Sequence, residues 1–138
     1  MESVHITGMG LITSIGNNRD NVTDSLREMK HGIDFHPELQ GEDSPVKLAG
    51  TVKDFDLKSS DPEDWTYPEE YRVPRAVLRS FSPHVLYAWC ALKQAITDAS
   101  LTESEIQDPE AGMYTSSGGS MRSIHKHFEK MDARGVMA

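Results

Sequence analysis

Apolar and polar residues alternate near the amino terminus and then recur at helical spacing. Val4–Thr7 alternates strictly, and this period of two predicts a half-buried strand. From about Asp20 to His31, apolar residues recur at i, i+4 and i+7, which predicts an amphipathic helix. These residues are Val22, Leu26 and Met29. Gly32 is expected to end the helix in a left-handed conformation.

A second helix signal lies in the later half of the chain. Ser82 is suited to the N-cap and Pro83 to the first helical position, and helical spacing continues to about Asp98. The residues expected to share its apolar face are Val85, Trp89, Leu92 and Ile96.

Further apolar segments complete the pattern. Leu48–Val52 and Ala111–Thr115 are predicted strands, the second of them buried. Thr102 and Glu105 have the spacing of a capping box. A last helix is predicted from Ile124, Phe128 and Met131, which recur at helical spacing. The resulting order of strand, helix, strand, helix, strand, helix predicts an α/β fold with helices packed on a sheet.

Charge is concentrated in one part of the sequence. The 138 residues carry a net charge of -8, and residues 34–71 alone contain 11 acidic and 3 basic side chains together with four prolines. We interpret this segment as a solvated, loop-rich excursion. The hydrophobic fraction of 37% is low for a globular domain, which indicates a chain that is loop-rich or incomplete. General binding to nucleic acid is not expected from a chain with this acidic charge, because the phosphate backbone is bound by clustered Lys and Arg.

Targeting and membrane signals are not found in the sequence. Acidic Glu2 is unlike the cationic start of a signal peptide. The longest apolar run, Met9–Ile12 with Gly10 inside it, is far shorter than the roughly 20 residues that a membrane helix needs. The expectation is a cytoplasmic protein.

Two glycine-containing segments are candidates for phosphate-binding motifs. Thr7–Gly10 follows a predicted strand, but position 13 is Thr and the helix begins only near position 20, so the dinucleotide fingerprint is not met. The alternative is that these glycines let another backbone approach closely. Ser116–Ser120 is interpreted either as an anion-binding nest or as a tight turn that exposes its backbone, and either could line a pocket.

The candidate nucleophiles and metal ligands are few. Cys90 is the only cysteine and lies within an apolar helix, so we expect a buried, structural thiol. His125 and Glu129 are spaced i, i+4 and could share a metal ion, but no third ligand is evident and no metal site is predicted.

Three arginines, Arg72, Arg75 and Arg79, form the densest cationic run. Two interpretations stay open from the residues alone. The arginines pair locally with acidic residues such as Glu69 and Glu70, or they form a patch for an acidic partner.

Five segments follow one another along the chain: Val4–Asn18, Leu26–Ile33, Ala49–Asp56, Tyr87–Ala99 and Gly112–Gly119. In this order they resemble the elongating β-ketoacyl-acyl-carrier-protein synthases. They are similar, respectively, to the family's first strand with its glycine turn, a helix ending in Gly-Ile, an A-G-x-V-x-D-F-D strand, an A-x-x-D-A-G-L helix and a strand ending in Gly-Ser-Gly. Ser100 stands where the fourth of these motifs usually has Gly.

The resemblance implies a partial thiolase-like fold, in which residues 1–138 form an incomplete N-terminal segment contributing the N-terminal half of a mixed sheet with packed helices. It also implies a homodimer that needs no cofactor and that catalyses decarboxylative Claisen condensation of acyl and malonyl thioesters in fatty-acid synthesis, with acyl-carrier protein as partner. The family's nucleophilic cysteine and two histidines are expected beyond position 138. The chain alone is therefore predicted to be inactive, with no catalytic residue of its own.

The same resemblance suggests roles for four residues. Gly118 and Gly119 would line the acyl pocket, and Arg75 and Arg79 would dock the acidic carrier protein. Two alternatives remain: a non-catalytic ketosynthase-like structural partner subunit and a dinucleotide-binding module.

Overall fold

Helices make up most of the regular structure in the computed structural model, which describes residues 3–117 and 121–134. The helices are α1 (Arg19–Arg27), α2 (Arg75–Leu78), α3 (Pro83–Asp98), α4 (Glu103–Ile106) and α5 (Met121–Arg134). The strands are β1 (Ile33–Phe35) and β2 (Leu48–Gly50). Short 3-10 turns lie at Pro37–Leu39, Pro62–Asp64 and Glu69–Tyr71. None of the helices described is long and apolar enough to cross a membrane.

The sheet is a two-stranded antiparallel ribbon. Ile33 lies opposite Gly50 and Phe35 opposite Leu48. The predicted strand at 48–52 is confirmed over residues 48–50, but its partner β1 was not predicted, because a three-residue strand has too little sequence for a period-two signal.

Two predicted strands are not formed. Val4–Thr7 and Ala111–Thr115 have no strand structure, and Val4 and Tyr114 are almost completely exposed. A strand is stabilised by a neighbour that accepts and donates its backbone hydrogen bonds, and among the residues described neither segment has one. The predicted sheet is therefore only a ribbon here, and the mixed sheet is not observed within residues 3–117 and 121–134.

The amino-terminal segment instead lies along α3. A Cβ on Gly10 would approach the Ala91 carbonyl oxygen to 1.8 Å, and one on Gly8 would approach that of Ala95 to 2.5 Å. Only a residue without a side chain fits such a contact, so the predicted close backbone approach is confirmed. The Met9 N–H donates to Asp98 Oδ2 at 3.1 Å.

Gln94 extends this attachment with three hydrogen bonds. Its Oε1 accepts from the Leu11 N–H at 3.0 Å. Its Nε2 donates to the Asn17 carbonyl at 2.6 Å and to the Tyr71 hydroxyl at 2.8 Å. One side chain of α3 is thus hydrogen-bonded to the backbone of Asn17 and Leu11, which lie 77 and 83 positions earlier in the chain.

Helix α1 ends earlier than its sequence pattern predicts. Met29, with φ 53°, is the left-handed residue, and the prediction that Gly32 has this role is wrong. Gly32 lies against Ser14, whose carbonyl oxygen a Cβ would approach to 2.5 Å. Of the predicted apolar face only Val22 is buried, while the Leu26 side chain is 64% exposed.

The core is small and centred on α3. Its buried cluster consists of Val73, Leu78, Leu86 and Cys90. The extent of α3 is as predicted, but its predicted apolar face is covered only in part: Trp89 packs against the buried cluster, whereas Val85 and Leu92 are exposed. The segment that leads into α2 packs on the Leu86–Cys90 side of the helix, and helical periodicity by itself does not reveal which side a distant segment covers.

The two carboxy-terminal helices occur where they were expected. Helix α4 has the complete capping box between Thr102 and Glu105. Helix α5 forms, but Ile124 and Phe128 of its predicted stripe are about half exposed.

Candidate functional site

Arg75 and Arg79 lie one helical turn apart at the surface. Arg75 begins α2 and Arg79 is its C-cap residue, so both side chains project from the same side of one turn. Pro74 is the N-cap residue of α2. Because Pro disfavours helical backbone at the residue before it, the helix does not extend further towards the amino terminus and begins here. The Arg75 and Arg79 side chains are 72% and 65% exposed. The two cations are therefore accessible.

Glu63 joins the two arginines. Its Oε1 accepts a hydrogen bond from Arg79 Nε at 2.7 Å, and its Oε2 forms an ion pair with Arg75 Nη2. Hydrogen bonds from Arg75 and then from Arg79 lower the pKa of the Glu63 carboxyl to about 2. Glu63 also raises the pKa of the Arg75 guanidinium.

This partner was not identified from the sequence. The interpretation that the arginines pair locally with acidic residues is confirmed, but the partner is neither Glu69 nor Glu70: the contact comes from a residue 12 and 16 positions before the arginines. Asp61-Pro62 is a recognisable turn signal, but no periodicity relates that turn to α2. Only the folded backbone brings Glu63 to the arginines.

A groove of about 700 Å³ lies beside this cluster. Trp65, Tyr67 and Val73 line it, and Glu63 and Arg75 belong to the same wall. The Trp65 Nε1 donates to the Ser59 carbonyl at 3.0 Å, and the Val73 N–H donates to the Tyr67 hydroxyl at 3.3 Å. The groove thus combines apolar side chains with charged groups of both signs.

The predicted pocket residues Gly118 and Gly119 lie outside the described residues. The segment just before them contributes to a second groove, of about 640 Å³, against α3. Val85, Ala88 and Leu92 of α3 line it together with Met113 and Tyr114. Its surface is mainly apolar in character and suits a hydrocarbon chain or other apolar group.

Cys90 has the properties of a structural residue, as predicted. Its side chain is completely buried, and burial raises the pKa of the thiol to about 11. A thiolate nucleophile needs the opposite environment, with cationic neighbours or a helix N-terminus that lower the pKa.

The histidines do not build a metal centre in the part of the chain that the structure describes. There, no group of three or more His, Cys, Asp or Glu side chains is arranged to hold a metal ion. His125 Nε2 lies 3.4 Å from Glu129 Oε1, and both side chains are well exposed.

Comparison with known proteins gives a consistent result. The family model for the β-ketoacyl synthase N-terminal domain matches residues 1–137. The 3-oxoacyl-(acyl-carrier-protein) synthase 1 of Haemophilus influenzae is 33% identical over 142 residues, which cover 100% of this chain and 31% of the relative.

Other relatives show the same coverage. The synthase 1 of Escherichia coli K12 is 36% identical over 120 residues, covering 86% of this chain and 26% of the relative. The synthase 2 of Staphylococcus aureus COL is 28% identical over 131 residues, covering 94% and 29%. The chain thus spans less than a third of the length of these relatives.

Proposed function

The chain belongs to the β-ketoacyl synthase family through its N-terminal domain, and we propose that it forms the N-terminal part of a β-ketoacyl-acyl-carrier-protein synthase of fatty-acid synthesis. That enzyme joins an acyl thioester to malonyl thioester. The acyl group is first transferred from its carrier to a cysteine, and the carrier's thiol leaves. Carbon dioxide then leaves the malonyl group, the resulting carbanion attacks the acyl carbonyl, and the cysteine thiolate is released as the new carbon–carbon bond forms. The names of the relatives, which are 3-oxoacyl-(acyl-carrier-protein) synthases, support this assignment.

In such an enzyme, this chain and the residues beyond it would have different roles. The nucleophilic cysteine and the two histidines are proposed to come from residues beyond position 138, since Cys90 is buried and its thiol pKa is raised to about 11. Residues 1–138 would contribute the N-terminal half of a mixed, thiolase-like sheet with its helices. We expect the complete enzyme to be a cytoplasmic homodimer, and the chain alone to be inactive.

Carrier docking is the function that the geometry of this chain supports best. The observation that carries it is the pair of exposed guanidinium groups of Arg75 and Arg79, held side by side on one helical turn. Acyl-carrier proteins of this pathway are acidic, and Arg can bind a carboxylate or phosphate at two points through a permanently charged fork. The pair thus offers a defined cationic contact on an otherwise acidic chain.

The acyl chain would occupy a different part of the molecule. We propose that Gly118 and Gly119 line the acyl pocket, as the resemblance implies. Ser116 and Ser117, which directly precede these glycines in the sequence, line the apolar groove together with Val85, Leu92 and Met113. Its position and apolar surface support the proposal.

The test of docking is charge reversal in the complete polypeptide that contains this chain. Arg75→Glu combined with Arg79→Glu should raise the KM for carrier-bound substrate about tenfold or more, because charge reversal replaces attraction of the acidic carrier by repulsion. Reaction with a small thioester that needs no docking should be nearly unchanged. The steady-state rates with both substrates are the measurement.

Arg27→Glu combined with Lys30→Glu supplies a control with the same change in charge at the end of α1, where both side chains are exposed. It should affect the two substrates alike. An equal loss on both substrates in the Arg75 and Arg79 variant would indicate damaged folding, and an unchanged KM would remove both residues from the docking surface.

A further inference from the structure

Glu63 is the most enclosed member of the cluster that it forms with Arg75 and Arg79. Its side chain is 22% exposed, compared with 72% and 65% for the two arginines. Each carboxylate oxygen contacts a different arginine. One carboxylate therefore holds both guanidinium groups from the protein side, while most of their surface faces solvent.

The arginines keep binding capacity in this arrangement. A guanidinium carries five N–H donors on three nitrogens, and Glu63 contacts Nη2 of Arg75 and Nε of Arg79. On Arg79 both Nη groups are left and can hold a carboxylate or phosphate of a partner at two points. On Arg75 the Nε–H and Nη1 groups are left, and because they point to different sides of the guanidinium, each offers a single hydrogen bond. An acidic partner can bind from the solvent side without displacing Glu63.

The turn that carries Glu63 is itself fixed by side-chain hydrogen bonds. The Asp61 carboxylate accepts from the Glu63 N–H at 3.0 Å and caps the 3-10 turn Pro62–Asp64. The Ser59 hydroxyl donates to Asp64 Oδ2 at 2.9 Å. The same turn packs against α2, so the position of the Glu63 carboxylate does not depend on the arginines alone.

We propose that Glu63 is a positioning residue for carrier binding, which orders the Arg75 and Arg79 side chains before the carrier arrives. This inference rests on the docking function proposed above. Without Glu63 the two arginines would carry a charge of 2+, but they would repel each other and sample many rotamers. With Glu63 the cluster carries a charge of 1+ in a defined arrangement, so less side-chain freedom is lost on binding.

The proposal has a kinetic signature, because charge and order act on different rate constants. Net charge acts mainly on the association rate through electrostatic steering, whereas well-formed contacts act on the dissociation rate. Glu63 should therefore slow dissociation of the carrier while slightly reducing its rate of association. A residue that only repelled the carrier would lower the association rate and leave dissociation unchanged.

The experiment measures both rate constants by stopped-flow fluorescence in the complete polypeptide, with labelled holo-acyl-carrier protein as the probe. Glu63→Gln should raise the dissociation rate constant about three- to tenfold, with an association rate constant that is unchanged or up to about twofold higher. Glu63→Asp keeps the charge but is too short to reach both arginines, so it should raise dissociation without changing association. Glu69→Gln removes one charge from an exposed neighbouring position and should leave dissociation unchanged.

The variant with Arg75→Glu and Arg79→Glu distinguishes a failure of carrier docking from a failure of the role of Glu63. If it binds the carrier as well as the unsubstituted protein does, the docking function itself is wrong. If it binds weakly but Glu63→Gln and Glu63→Asp leave the dissociation rate unchanged or lower it, docking stands and the role of Glu63 is overturned. Thermal melting accompanies each variant, and if Glu63→Gln does not fold, the dissociation rate of Glu63→Asp decides the question.

Discussion

Met29 and Ser100 adopt left-handed backbone conformations at the ends of α1 and α3, with φ values of 53° and 54°. Each helix ends with the paired hydrogen bonds of a Schellman motif. At α3 the Ser100 N–H donates to the Thr97 carbonyl at 3.0 Å and the Leu101 N–H to the Ile96 carbonyl at 3.1 Å. A residue with a Cβ is strained in this conformation by roughly 1–2 kcal/mol.

Replacing either residue with glycine should therefore stabilise the protein. Ser100→Gly and Met29→Gly are each expected to raise the free energy of unfolding by about 0.5–1 kcal/mol, because relief of strain exceeds the added entropy of the unfolded chain. The Met29 side chain is 89% exposed, so its removal costs little packing. Urea denaturation measures the change.

Glu28→Gly is the matched control, one position before Met29 and at φ -84°. Glycine relieves no strain there and should leave stability unchanged or lower it. Equal stabilisation by Glu28→Gly and Met29→Gly would contradict the explanation based on left-handed strain.

Gly119 is expected to line the acyl pocket, because Gly112–Gly119 resembles the family's strand and turn. Gly119→Phe in the complete enzyme should shift the preferred acyl chain to shorter lengths, because a bulky ring would fill space that glycine leaves open. The measurement is the rate with carrier-bound acyl groups of increasing length. Gly119→Ala adds one methyl group and should shift the profile little, and an unchanged profile in a folded Phe variant would count against the pocket assignment.

At the scale of elements, the sequence predicts helices better than the contacts they make. Helix α3 extends over Pro83–Asp98 as expected, because its start signal and its apolar spacing are both local. The face that it buries, with Leu86 and Cys90, depends on segments that lie earlier in the chain. The strands expected at Val4–Thr7 and Ala111–Thr115 depend on partners, and a local alternation of apolar residues does not supply one.

The candidate site shows the same division. The arginine cluster was recognisable in the sequence because Arg75 and Arg79 are four residues apart. Their partner Glu63 was not, because a 3-10 turn and the chain between it and α2 must fold before the carboxylate meets the guanidinium groups.

The link between this turn and α2 should weaken in acid. The Glu63 carboxyl has a folded pKa of about 2, below its ordinary value of 4.5. Its contribution to stability is therefore fully present above pH 4.5 and is lost as the pH falls towards 2. Thermal melting of the unsubstituted protein and of Glu63→Gln between pH 2 and pH 6 should show a stability difference that shrinks over this range.

Asp20→Asn is suited as a control for that titration, since Asp20 is exposed and pairs with the neighbouring Arg19. Its difference from the unsubstituted protein should stay small throughout. A Glu63→Gln difference that is the same at pH 2 as at pH 6 would show that the ion pairs with Arg75 and Arg79 do not stabilise the link.

At the scale of the whole molecule, the chain leaves much of its surface uncovered. Its accessible area is 11111 Å², whereas a compact monomer of 15.4 kDa has roughly 7,200 Å² by the usual scaling with mass. Several exposed side chains are apolar, among them Ile33, Phe35 and Leu48 on the ribbon and Met113 and Tyr114 beside α3. Uncovered strand edges and apolar patches of this kind favour association with other chains.

The 138-residue chain expressed alone should accordingly self-associate. Light scattering at increasing protein concentration should show a growing average mass, and heating should give a broad transition rather than a cooperative one. Phe35→Ser combined with Leu48→Thr makes the ribbon more polar and should shift association to higher concentration. A monodisperse monomer with a sharp melting transition would contradict this prediction.

The attachment of Gly8 and Gly10 to α3 has a consequence for folding during synthesis. The hydrogen bonds from Met9 and Leu11 to α3 span 89 and 83 residues. At roughly 5–20 residues per second, the ribosome needs about 4–18 seconds to make that length of chain. Throughout this interval Gly8 and Gly10 have been made but the helix against which they pack has not, so this segment stays unattached until α3 is complete.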